Sequence, residues 1–257
     1  MKLNEARTII DCHGNPHIPE ISEVKTIMGI IEKEGLIYPA QLGKFQCFIA
    51  SCRRLKTYLK KSESTDCSLA YNGMSIDTLD EVYDEINRCI RGDEIDSEAT
   101  NELSDIRRKI SNMDTRIKNE LDNLLKSKKK YCNDSFVSVK NGHYTLPVKK
   151  EYKNQVSGSV IATSSTGTTY FIEPSAILKL TEKLELLKTD EIIEQDKILY
   201  SLSALIYKYR ETVLCNIEVI ESLDFAFAKG KLSVEMNAVS PNINTERYIK
   251  ISEGRHP

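Results

Sequence analysis

Two long stretches of helical apolar periodicity, separated by a short basic segment patterned like strands, limit what this chain can become. In the first, over residues 99–130, apolar side chains recur at Leu103, Ile106, Ile110, Met113, Ile117, Leu121 and Leu124. Steps of three and four lay one apolar seam along a helix of about 30 residues, roughly 45 Å at the standard rise. Such a helix is well beyond the globular average and cannot bury its seam alone. The second stretch, over residues 175–229, supplies a partner in the same chain. Because the insert between them is short, the two are expected to run antiparallel, with the insert at the far end of a coiled-coil-like stalk. In that arrangement Leu103, Ile106, Ile110, Met113 and Ile117 are expected to face residues drawn from Leu199, Leu202, Leu205, Ile206, Tyr209 and Val213.

The insert reads as a small antiparallel sheet of three or four strands. Residues 135–140 and 143–149 flank Asn141-Gly142, the pair best suited to a two-residue hairpin turn because both positions need positive φ. Pro147 cannot donate to a ladder, which marks an edge or a bulge. Two further runs, 159–163 and 169–173, surround Ser164-Ser165-Thr166-Gly167, read as a plain turn rather than a phosphate cradle. Pro174 then opens the returning helix.

Charge is concentrated here. Residues 126–153 carry eight lysines against Asp134 and Glu151, a net +6 in a chain whose total is −2, so the remainder carries −8. Lys126, Lys128, Lys129, Lys130, Lys140, Lys149, Lys150 and Lys153 are the candidate nucleic-acid contacts. Lysine suits phosphate contact that is salt-dependent and tolerant of sequence, not base reading. Tyr131, Tyr144, Tyr152 and Tyr170 are expected to pack the sheet rather than stack on bases. The near-neutral total argues against a protein coated in nucleic acid, but not against a local patch.

Residues 1–95 read as shorter helices joined by Pro- and Gly-containing loops. Ile21, Val24, Ile27, Met28 and Ile31 share one face before Gly35; Pro39 starts a run through Leu42, Phe45, Phe48, Ile49, Cys52, Leu55 and Leu59; Leu79, Val82, Ile86 and Ile90 mark a third. Lys44, Arg53, Arg54, Lys56, Lys60 and Lys61, opposite the second stripe, read as a solvated face. Gly92, Asp93, Glu94 and Asp96 form an acidic turn without the ligand series of a calcium loop.

Seven scattered cysteines with no C-x-x-C read as reduced thiols of a cytoplasmic protein, and no ligand spacing suits a metal. No apolar run is long enough to span a bilayer, and no signal peptide is evident. No catalytic constellation is found: His143 reads as a surface residue beside a turn, and Glu151 and Glu173 as isolated carboxylates.

The run SFVSVKNGHYTLPVKKEYKNQVSGSVIATSSTGTTYFIEP closely resembles the clamp region of the MutS family. The resemblance is to the bacterial paralogue branch that lacks the mismatch-reading domain and usually ends in an Smr nuclease domain. The arm ELSDIRRKISNMDTRIKNELDNLL and the base LIYPAQLGKFQCFIASCRRLKTYL are similar to that branch's lever and core. Residues 251–257, ending Gly254-Arg255-His256-Pro257, are similar to the junction with its ATPase domain, which Arg255 and His256 would meet.

The resemblance implies a mainly α fold: a helical core over 1–98, an outgoing lever helix over 99–131, a β clamp over 132–174, a returning lever helix over 175–229, and the end of the core with the junction over 230–257. It implies a homodimer holding duplex or branched DNA, roles in restraining recombination or in mismatch-repair-like processes, and in some members action on stalled ribosomes. ATP and Mg are implied for intact members. No G-x-x-x-x-G-K-[ST] loop, leading helix or Smr segment occurs here, so the chain is expected to be a piece of a longer protein without enzyme activity of its own. The alternative is a coiled-coil adaptor for a protein partner, a ribosome or structured RNA.

Overall fold

The computed structural model describes residues 2–62, 68–133, 136–239, 241, 243–251 and 254. Cys67, Asp134, Ser135, Arg255, His256 and Pro257 lie outside the described residues. The fold is mainly α with a small antiparallel β part. By chain contacts it divides into one unit of residues 1–95 and 199–257 and a second of residues 96–198.

The first unit contains α1 (Lys2–His13), α2 (Ser22–Ile31), α3 (Pro39–Lys60), α4 (Ser68–Met74) and α5 (Asp80–Cys89). A two-strand hairpin follows, β1 (Ile90–Arg91) and β2 (Glu94–Ile95), turning at Gly92 with φ 62° where an acidic turn was expected. Pro39 sits at the start of α3, where its missing N–H leaves no helical bond unmade. The expected stripe is its buried face: Leu42, Phe45, Ile49, Cys52, Leu55 and Leu59. The chain opens with helix α1, where no leading helix was expected, and it buries Ala6 and Ile9. It lies close against α8 (Arg210–Glu235), where a Cβ on Gly230 would come within 2.9 Å of the Ala6 methyl.

Asn216 of α8 is buried and clamps the approach to α5. Its Oδ1 accepts from Asp77 N at 2.8 Å and its Nδ2 donates to Asp77 O at 2.9 Å. The Asp77 carboxylate in turn accepts from the amide of Leu79, which holds a left-handed conformation at φ 45°. The apolar stretch over 175–229, expected to be one returning helix, is two helices. Helix α7 (Ser175–Lys208) stops at Tyr209 (φ −96°, ψ 12°), where the Tyr209 hydroxyl and the Lys208 ammonium both donate to Glu81 of α5.

The second unit holds α6 (Asn101–Ser127), the N-terminal part of α7 and four strands: β3 (Ser138–Lys140), β4 (His143–Lys149), β5 (Gly158–Thr163) and β6 (Thr169–Pro174). Thr100 caps α6, accepting from Leu103 N at 3.0 Å, and its hydroxyl donates to the buried Glu194 at 3.0 Å. Arg107 meets Glu191 at 2.7 Å, so α6 and α7 run antiparallel. Leu103, Ile106, Ile117, Leu121 and Leu125 are the buried face of α6, while Ile110, Met113 and Leu124 are partly buried. Each buried Leu or Ile is worth about 1.5–3 kcal/mol.

For Ile110, Met113 and Ile117 the residues opposite this seam differ from those expected. Ile177 and Leu184 share its core, and Glu191 and Glu194 bind its outer turns. Leu199 to Val213 belong instead to the first unit, where Ser203 accepts from Ile37 N. Periodicity identified the seam; the length of the insert fixed which turns of α7 it meets.

The sheet order is β3-β4-β6-β5, antiparallel throughout. Asn141 (φ 51°) and Gly142 (φ 82°) make the two-residue turn between β3 and β4, as the sequence predicts. Pro147 lies in an interior strand, neither on an edge strand nor in a bulge. It stands past the end of β3, and its oxygen accepts from Asn133 N at 2.9 Å, so its missing N–H removes no bond from the β4–β6 ladder. The bulge is in β5, where Val160 and Ala162 pair with adjacent residues of β6 and Ile161 has no partner.

Candidate nucleic-acid interface

Strand alternation divides the sheet's faces. Tyr144, Leu146, Val148, Tyr170 and Ile172 face the α6–α7 core. The Tyr144 hydroxyl donates to Asp114 of α6 at 3.0 Å, and burial, reinforced by that carboxylate, pushes its pKa up. The opposite face carries Lys140, His143, Lys149 and Phe171, with the Lys140 ammonium 4.9 Å from the Phe171 ring.

The remaining lysines lie on short turns beside the sheet. Lys129 and Lys130 form a 3₁₀ turn after α6, with Lys128 just before it; Lys150 and Lys153 lie in a second, over Lys150–Gln155. The Tyr131 and Tyr152 rings, 5.2 Å apart, tie the two turns together. Lys128 stands 5.7 Å from the Tyr131 ring and Lys153 stands 5.5 Å from that of Tyr170. Burial raises the Cys132 thiol pKa, and the nearby Lys149 charge pulls against it. Lys126 is apart from these groups, in the last turn of α6, where a cation also complements the helix dipole. The four tyrosines pack against the core of this unit, the role expected of them.

None of the eight lysines makes an ion pair within 4.0 Å among the described residues, and six of the eight are exposed. On the basic face of α3, expected to be solvated, Lys60 and Lys61 are exposed but Lys44, Arg53, Arg54 and Lys56 are engaged, Arg54 with Ser51 Oγ at 2.9 Å. Arg53 binds Asp80 at 2.6 Å and lies 4.0 Å from the Tyr83 ring, Lys56 donates to Ile76 O at 2.7 Å, and Lys44 pairs with Glu23.

One feature of the tip escaped the sequence reading. His143 and Glu173, thirty residues apart, meet at 2.9 Å, and Thr181 of α7 donates to the other Glu173 oxygen at 3.3 Å. Glu173 is only 2% exposed, so this buried carboxylate pins the β3–β4 turn to α7. Its signal in the sequence is faint, a glutamate in an otherwise uncharged strand beside a proline.

A helical unit, and another in which paired helices carry a lysine-rich β sheet, define the class of protein. No family model matches the chain. It is similar over its full length to proteins named Endonuclease MutS2: 36% identical to that of Alkaliphilus oremlandii and 33% to that of Clostridioides difficile, with 33% over 99% of the chain for that of Clostridium botulinum strain Eklund 17B. In each case the chain spans about a third of the relative's length (33%). The chain belongs to the MutS family, in the MutS2 branch.

Proposed function

We propose that the second unit is a DNA-holding clamp, in which the tip lysines grip the phosphate backbone of duplex or branched DNA. The observation that carries this reading is the set of eight lysines without ion pairs among the described residues, clustered at and beside the small sheet, in a chain otherwise negative. Binding a phosphate there releases condensed counterions without first breaking an internal pair. The relatives' name, Endonuclease MutS2, supports a nucleic acid as the ligand.

In the longer protein, the α6–α7 pair acts as a lever passing this contact to an ATPase, the whole works as a cytoplasmic homodimer, and ATP and Mg act in a segment other than this one. The residues present do not fit that cofactor. The 257 residues hold no glycine-rich phosphate loop, and among the described residues no group of three His, Cys, Asp or Glu could hold a metal. No helix among them is long and apolar enough to cross a membrane.

The test is a salt series of binding to duplex DNA, a four-way junction and a structured RNA. The reading expects log K for duplex DNA to fall linearly with log salt, by about 0.9 per phosphate contacted. A salt-insensitive affinity, or binding to RNA alone, would overturn it.

A further inference from the structure

We infer that the side of the α6–α7 pair, apart from the lysine tip, is a docking groove for an acidic amphipathic helix of a partner protein. A groove of about 500 Å³ runs between the helices, lined by Lys109, Asn112, Met113 and Arg116 of α6 and Lys183, Leu186 and Leu187 of α7. Its floor is apolar. Leu186 is 66% exposed, and Ile193, two turns along the same face of α7, is 50% exposed. Two large aliphatic side chains held open to water on a well-packed helix pair form a surface that lowers its free energy by being covered.

The rim gives the occupant its sign. Lys109, Arg116 and Lys183 are exposed and make no ion pair among the described residues. Other cations of the same helix pair are engaged: Arg107 with Glu191, Arg108 with Asp105, Lys188 with Glu185 and Lys197 with Glu194. Among the carboxylates between Leu186 and Ile193, Glu191 is held by Arg107 and Asp190 acts on Lys197. The excess positive charge therefore lies toward Arg116 and Lys183.

An apolar floor framed by three unpaired cations matches a helix with leucine-like anchors at i and i+7 and carboxylates beside them. A nucleic-acid backbone matches it poorly, since it would leave Leu186 and Met113 facing charged phosphates. The recognition differs from that of the tip, where lysines surround a small sheet, and it stands whether or not the tip binds DNA.

The experiment uses the 257-residue chain with ¹³C-labelled methionine methyls, so that Met113 reports from the groove floor. The probe is a synthetic helical peptide with leucines at i and i+7 flanked by glutamates, compared with the same peptide carrying lysines. The inference expects the Met113 signal to shift with the glutamate peptide and affinity to fall at least about tenfold with the lysine peptide. The variant Lys109→Glu, Arg116→Glu, Lys183→Glu should lose affinity to the same extent. All three positions are exposed, and a helical circular dichroism spectrum and melting temperature matching the parent chain establish that the variant is folded. No shift at millimolar peptide, or equal affinity for both peptides, overturns the inference. A Met113 shift caused by duplex DNA and not by peptide overturns it too, assigning the groove to nucleic acid.

Discussion

The tip carries eight lysines and helix α3 five basic residues, and their surroundings make them different surfaces. On α3, Arg53 is held by Asp80, the carbonyl of Thr78 and the Tyr83 ring, and Lys56 by the carbonyl of Ile76. Those side chains fasten α3 to the segment leading into α5. At the tip, Lys128, Lys140 and Lys153 stand over aromatic rings in weak cation–π contacts, and most of the eight lysines are exposed. Positive charge in a sequence marks a ligand surface only where folding has not already supplied the counter-charge.

Three variants would sharpen or break this contrast. The largest effect is expected from Lys128→Glu, Lys129→Glu and Lys130→Glu together, which should weaken duplex DNA binding about 100-fold at low salt, near 2.7 kcal/mol, and flatten the salt dependence. Unchanged binding by the folded variant would move the contact elsewhere, with the α3 face the first place to look.

Next, Glu173→Ala should cost the second unit about 2 kcal/mol, because His143 and Thr181 lose their shared acceptor. Amide exchange should quicken along β3 and β4 and stay unchanged along α1 and α8. Equal loosening of both units would contradict the division of the chain.

The smallest effect is assigned to Arg53→Gln. It should lower the stability of the first unit by about 1 kcal/mol, read by urea titration, and leave DNA affinity within about twofold. A large loss of DNA binding with stability intact would make α3 a ligand face after all.

The sequence revealed what depends on near neighbours. Asn141-Gly142 specified the hairpin turn through local backbone preference, and the seam of α6 followed from the spacing of Leu103, Ile106, Ile117 and Leu121. Features set by distant partners were hidden. The stop at Tyr209 has no glycine or proline to announce it and coincides with hydrogen bonds to Glu81, far away in the chain. The His143–Glu173 pair needed the β4–β6 register, which adjacent residues do not encode. The facing residues on α7 were misplaced because periodicity fixes a face but not an offset along the partner. The eight lysines were legible as a cluster, but their freedom from internal pairs became visible only with the fold.

The unpaired Ile161 has a consequence for how this molecule behaves in concentrated solution. Strand β5 lies on the open edge of the sheet and contains no proline and no charged residue within Gly158–Thr163, a composition that invites another chain to continue the ladder. The extra residue interrupts the regular alternation of free donors and acceptors along that edge, so an incoming strand would find no continuous register to copy. One irregular residue thus guards an otherwise sticky border against fibre-like stacking.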